Sequence, residues 1–171
     1  GFLIAYENVY EYKIRFKIKN VISLDGIKEL SQKENDAYHI IFNGKNSMLN
    51  AELNQEAEFK YLNAKIFPQY YSQKIKVPLR GELNQKIKYD FKNQKIVSTG
   101  DVNWVIDFLG KPIPLDPLSS AFQIRENVKK GLLSFDINLV KLDEGITYKS
   151  SYSVVGEEVL EIKDIKYPCI I

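Results

Sequence analysis

Few side chains in this sequence could do chemistry, and their spacing keeps them apart. His39 is the only histidine, so a histidine-dependent triad or a histidine-rich metal site has one member at most. It alternates with Tyr38 and Ile40, which gives it a surface or structural place on a strand. Ser119 and Ser120 follow Asp116 at the start of a helix, where serine caps the backbone, and no base lies in sequence reach of either. Glu157 and Glu158 are neighbours in a strand and point to opposite faces, so they do not form a carboxylate pair. Cys169 is the only cysteine, which excludes an internal disulfide, and its apolar surroundings read as those of a buried small hydrophobe. Gly110 and Gly131 stand alone, so there is no phosphate-binding glycine loop. No catalytic residue, metal ligand or cofactor site is assigned, and the chain reads as one that is not an enzyme and uses no cofactor.

The remaining candidate is apolar. Trp104, Phe108, Leu118 and Phe122, with Ile106 and Leu115 beside them, are either core where a helix packs on a sheet or the lining of a cavity for an acyl chain or another hydrophobic ligand. A solid interface would favour the first reading and a ligand-sized void the second.

The element that positions this group is a helix over about 116–130. Asp116 is an N-cap, Pro117 fits the first helical position, and Leu118, Ala121, Phe122, Arg125 and Val128 recur at helical spacing. Lys129 and Lys130 complement the negative end of the dipole, and Gly131 can take the left-handed conformation that ends a helix. An extended lead-in, Gly110 to Leu115, carries two prolines and cannot be helical throughout.

Strands are predicted elsewhere. Val9 to Lys19 alternates apolar and charged residues, with Val21 to Leu24 continuing it and Asp25-Gly26 as a hairpin turn. Further strands are expected at Ile27–Ser31, Tyr38–Asn43, Glu56–Asn63, Lys74–Leu79, Gln85–Phe91, Lys95–Thr99, Trp104–Leu109, Leu133–Leu142, Ile146–Val155, Glu157–Ile162 and Lys166–Ile171. Met48, Leu49 and Leu53 could instead open a short helical turn, and Pro68 should interrupt any ladder unless it lies at an edge or a strand start. The expected fold is mainly β: an antiparallel, strongly curved sheet or incomplete barrel, with the one helix packed on its concave face.

Composition bounds the function. The 171 residues suit a single domain, and 44% hydrophobic with 27% charged residues is the balance of a folded chain. Twenty-four basic against 22 acidic residues give a net charge of +2, with no electrostatic case for a nucleic-acid partner. No apolar run approaches the roughly 18 residues of a membrane span. The apolar start, Gly1 to Tyr6, lacks the basic region of a signal peptide.

Several segments together resemble the DUF3108 family of bacterial exported proteins. They are Asp116-Pro117-Leu118-Ser119 with Phe122 and Arg125, the Lys-Lys-Gly end, Phe135, and Tyr152 to Leu160; Phe67-Pro68-Gln69-Tyr70-Tyr71, Ile87 to Phe91 and Ile96-Val97 match upstream. The resemblance implies a periplasmic, mainly antiparallel protein similar in outline to lipoprotein carriers that shelter acyl chains in an incomplete barrel. Members of that family continue with further strands past the position of Ile171, so residues 1–171 are expected to be one domain that either lacks its C-terminal strands or completes its sheet differently. The function expected is a non-enzymatic cell-envelope protein that binds a lipid or other apolar ligand beneath the helix. The alternative is an assembly module that pairs with an envelope protein partner through an open sheet edge.

Overall fold

A computed structural model describes residues 8–18, 20–33, 36–79, 81–162 and 165–171. Among them are twelve strands and one helix. The strands are β1 (Asn8–Ile18), β2 (Asn20–Gln32), β3 (Ala37–Asn46), β4 (Ala51–Leu62), β5 (Lys65–Val77), β6 (Gly81–Asp90), β7 (Lys95–Gly100), β8 (Trp104–Asp107), β9 (Ser134–Lys141), β10 (Ile146–Ser153), β11 (Glu157–Ile162) and β12 (Ile165–Ile170); the helix is α1 (Pro117–Lys129). β1 to β8 form one antiparallel sheet in chain order, while β9–β10 and β11–β12 are two-stranded ribbons. The protein is therefore mainly β with a single helix, as its alternating patterns predict. The pairing establishes an open meander; strong curling does not follow from it. The apolar start at Gly1 to Tyr6 and the two faces read for Val9 to Lys19 lie outside the described residues and side chains.

Two local expectations give way, and the one for Pro68 is met at an edge. The Asp25-Gly26 turn does not form, because both residues sit mid-strand in β2, opposite Lys13 and Tyr12 of β1. Gly26 is glycine for packing: a Cβ there would lie 2.5 Å from Cε2 of Phe42, whose ring fills the space over the Gly26–Gly44 pair. The helical turn at Met48 is also absent. Residues 47–50 are a turn in which Asn46 Oδ1 accepts from Leu49 N at 2.9 Å, and β4 runs unbroken from Ala51. Pro68 lies inside β5 but at a local edge, as one of its two expected placements allows. Its missing N–H is tolerated because pairing with β6 begins only at Tyr70, and the extra residue Gln69 makes a bulge against Glu58/Phe59. That bulge switches the buried positions of β5 from Ile66 and Pro68 to Tyr71 and Gln73.

The sheet buries one face. Ile40, Phe42, Ala57, Phe59, Tyr71, Ile87 and Ile96 lie at its centre, and Leu115, Leu118, Phe122, Ile137, Leu139 and Val140 cover them. Helix α1 forms where it does because both ends are closed. Asp116 Oδ1 accepts from Leu118 N (3.0 Å) and Ser119 N (2.9 Å), and Ser119 Oγ donates to Asp116 Oδ2 (2.6 Å). At the other end Leu132 N donates to Asn127 O and Gly131 N to Val128 O, with Gly131 at φ +78°. This double bond pattern is a Schellman cap. The buried face of the helix is Leu118, Ser119, Ser120 and Phe122, whereas Ala121, Arg125 and Val128 are half-buried. The serines replace the expected apolar positions because their hydroxyls bond Asp116 and the Pro117 carbonyl.

Candidate functional site: a cleft beside the helix

The lead-in to α1 is an anchored strap. Leu115 N donates to Asn138 O at 2.8 Å and Val140 N to Leu115 O at 3.0 Å, while Tyr89 OH donates to Pro114 O at 3.2 Å. These bonds hold the strap along β9 and seat Asp116 in the core. Opposite the strap, the β4–β5 hairpin turns through Asn63 (φ 50°) and Ala64 (φ 67°), a primed two-residue turn. The Ala64 carbonyl accepts from Gln123 Nε2 of the helix at 3.3 Å, tying the hairpin tip to α1.

Strap, hairpin, helix and β9 line an open cleft of about 500 Å³. Its walls are Ile66, Phe67, Pro112, Ile113, Leu115 and Ile137, and its rim carries Lys65, Lys111, Gln123, Asn127, Asp136 and Asn138. The Asp136 carboxylate is engaged: Ser151 Oγ donates to it at 2.7 Å and Lys149 Nζ lies 2.9 Å away, which together hold its pKa below the usual range. Lys65 and Lys111 form no ion pair among the described residues, so the mouth offers two free ammonium groups. An apolar trough with amide donors and cations at its lip suits a molecule with an apolar body and a polar or anionic end.

The four residues predicted to line a cavity belong to one continuous core with different immediate partners. Phe122 packs among Tyr38, Phe59 and Tyr61, with ring centroids 5.0–5.4 Å away. Leu118 is buried one turn before it, on the same helix. Phe108 meets the Phe91 ring edge-on at 5.9 Å. Trp104 donates from Nε1 to Leu142 O at 2.8 Å, and its ring occupies the space over Gly145, so it pins the β9–β10 turn. None of the four lines the cleft. The strap residues Ile113 and Leu115 were visible in the sequence as an extended, two-proline segment; Ile66, Phe67 and Ile137 carried no signal beyond strand alternation, because only the fold brings them together.

The scattered chemical groups stay scattered. His39 Nε2 is 2.7 Å from Glu56 Oε1 on the sheet's outer face. Ser119 and Ser120 are buried with their hydroxyls donating to Asp116 Oδ2 and the Pro117 carbonyl, while the cap itself is Asp116. Glu157 and Glu158 pair across the ribbon with Ile170 and Cys169, and Cys169 is half-buried instead of fully buried. Asp116 is fully buried, and desolvation pushes its pKa up to about 6 against the lowering effect of its hydrogen bonds from Ser119 and Leu118. Burial, with the Asp116 charge second, also raises the Tyr71 and Tyr89 hydroxyls.

A buried polar chain crosses the sheet beside this core. Gln55 Nε2 donates to Tyr71 OH (2.8 Å), Tyr71 OH to Gln73 Oε1 (3.1 Å), Gln73 Nε2 to Gln85 Oε1 (2.8 Å), and Gln85 Nε2 to both Ser98 Oγ and Leu142 O (2.8 Å each). Each link satisfies its neighbour, so the chain reads as structural.

Among the described residues no group of three or more His, Cys, Asp or Glu side chains is placed to hold a metal ion, and no helix is long and apolar enough to cross a membrane. Compared with known proteins, the chain matches no family model, no curated protein and no solved structure at a significant level.

Proposed function

We propose that this is a non-enzymatic protein of the cell envelope that binds a lipid or another apolar ligand in the cleft beside α1. The observation that carries the reading is the cleft itself: about 500 Å³ with six apolar wall residues, a size and lining within the range of small-ligand sites. The ligand's apolar body lies against Ile66, Ile113 and Ile137, and its polar end faces Lys65 and Lys111. Ser119, the serine nearest a carboxylate, is fully buried and bonded to Asp116, and His39 is held by Glu56, which supports a binding role over a hydrolytic one. The envelope setting and a relationship to DUF3108 proteins rest on the sequence resemblance between Asp116 and Leu160. Mass spectrometry of organic extracts from protein purified out of its native host tests the binding reading. A stoichiometric lipid is expected, and it should vanish in Ile137→Trp, which fills the trough; an extract with no bound lipid would sink the proposal.

A second reading is an assembly module. The β11–β12 ribbon pairs only with itself among the described strands and leaves Val159 and Ile170 more than half exposed. Two-stranded ribbons are marginal alone, and an added strand would complete them. A partner that copurifies with the wild type and is lost in Ile170→Pro would favour it; equal recovery from both proteins would count against it.

A further inference from the structure

Strand β10 has the pattern of a half-buried strand and lies in the open. Ile146, Tyr148, Ser150 and Tyr152 alternate with Thr147, Lys149, Ser151 and Ser153, so one face is mostly apolar and the other polar. The apolar face continues that of β9, where Phe135, Ile137 and Leu139 stand opposite Tyr152, Ser150 and Tyr148. Ile137 and Leu139 are buried in the core, and the Tyr152 ring stacks on Phe135 at 5.7 Å. One strand further out the cover ends. No residue of β10 is buried, and Ile146 and Tyr148 are 50% and 48% exposed. Among the described strands β10 pairs with β9 alone, so the backbone donors and acceptors along its outer edge have no strand beside them.

Both edges of the large sheet carry features that discourage pairing. β8 is only four residues long, and the sequence of β1 places a charge at every second position from Glu11 to Lys17. β10 has neither. It runs for eight residues in unbroken register, without proline and with one charge, and Val154 N extends the ribbon by donating to Leu133 O at 2.8 Å. That one charge, Lys149, is matched within the ribbon by Asp136 at 2.9 Å, so the strand presents no unbalanced charge to a second copy of itself.

We propose that β10 is a self-association edge, through which two copies of this chain pair antiparallel about a two-fold axis at Ser150 to make a four-stranded sheet, β9–β10–β10–β9. Parity and charge select this register. The apolar faces of the two copies merge only if residues of the same set are opposed, and an axis at Lys149 would set that lysine against itself. An axis at Ser151 shortens the overlap. With the axis at Ser150, Tyr148 of one copy stands opposite Tyr152 of the other, which extends the Phe135–Tyr152 stack across the junction. Ile146 meets Val154, and Lys149 meets Ser151, whose hydroxyl already bonds the Asp136 carboxylate at 2.7 Å. A two-fold pairing of this kind closes on itself and leaves no further β10 edge to propagate. No β10 residue lines the cleft, so the proposal does not depend on the lipid-binding reading.

Sedimentation equilibrium of the whole chain, from low micromolar to millimolar concentration, tests it. The wild type should show a reversible equilibrium that ends at twice the chain mass. Ser150→Lys and Ser150→Glu should each weaken dimerisation at least tenfold, because a like charge meets itself at the axis, and an equimolar mixture of the two variants should dimerise again. That recovery also shows that both variants are folded. Ile170→Pro, in the β11–β12 ribbon, should dimerise like the wild type. A wild type that stays monomeric throughout, Ser150 variants that dimerise as the wild type does, or a mixture that does not recover would overturn the proposal.

Discussion

Asp116 couples capping to burial in one side chain. It accepts three hydrogen bonds from the first helical turn, yet it is fully buried and its pKa is pushed up to about 6. A folded value above the unfolded one means that the folded state retains a proton which the unfolded chain has released. The resulting stability is fully present below about pH 4 and is lost as pH rises through about 6. Asparagine keeps the Oδ1 acceptor and cannot ionise. Asp116→Asn should therefore gain on the wild type by on the order of 3 kcal/mol between pH 4 and pH 7 in denaturant titrations, with little difference between the two at the acid end. Asp116→Ala should be about 1–2 kcal/mol less stable than Asp116→Asn, since it leaves the cap donors without an acceptor. A wild type whose stability tracks the asparagine variant across this window would show that the carboxylate is not the titrating group. Gly26 makes a second residue-scale case. Gly26→Ala should destabilise by about 1–3 kcal/mol, because the Phe42 ring must move, and Phe42→Leu in the same chain should recover much of that loss. Strictly additive effects in this double-mutant cycle would contradict the contact.

At the scale of elements, the helix was written in the sequence from end to end, since Asp116, Pro117 and Gly131 act locally and need no partner from elsewhere in the chain. Strand identity was legible for the same reason, through alternation. What alternation cannot convey is a glycine used for a ring two strands away, or an extra residue that changes parity. Asp25-Gly26 has the composition of a turn and lies mid-strand because Phe42 needs the space. Gln69 appears to any periodicity rule as the end of a strand, while in the sheet it is a bulge that carries β5 past Pro68. The glutamine chain was equally silent, because polar residues at Gln55, Gln73 and Gln85 become neighbours only through the β4–β5–β6 register. Its central member is also the most connected. Gln85→Leu should destabilise by roughly 2–4 kcal/mol, since Gln73 loses its acceptor and Ser98 and the Leu142 carbonyl each lose a donor in buried surroundings. Urea unfolding measures this directly, and a loss under about 0.5 kcal/mol would mean that the chain is not the tie between the sheet and the β9–β10 ribbon that its bonds imply.

For the whole molecule, one face of an eight-stranded meander is covered by a helix, a strap and a ribbon that are themselves joined end to end. Such a cover fits tightly where Phe122 meets three aromatic rings. It gapes where the strap crosses from β8 to the helix, and the cleft lies there. The sequence left the helix–sheet interface open between packed core and ligand wall; the cleft proposed as the binding site lies on the helix flank, where residues distant in sequence converge. The central claim is that this flank holds an apolar ligand, and isoleucine-methyl NMR tests it most directly. Titration with decanoate below its micelle concentration should produce saturable shifts at the Ile66, Ile113 and Ile137 methyls, leaving Ile27 and Ile41 on the outer face unmoved. Shifts confined to Ile27 and Ile41, or none that saturate at the cleft, would contradict the account.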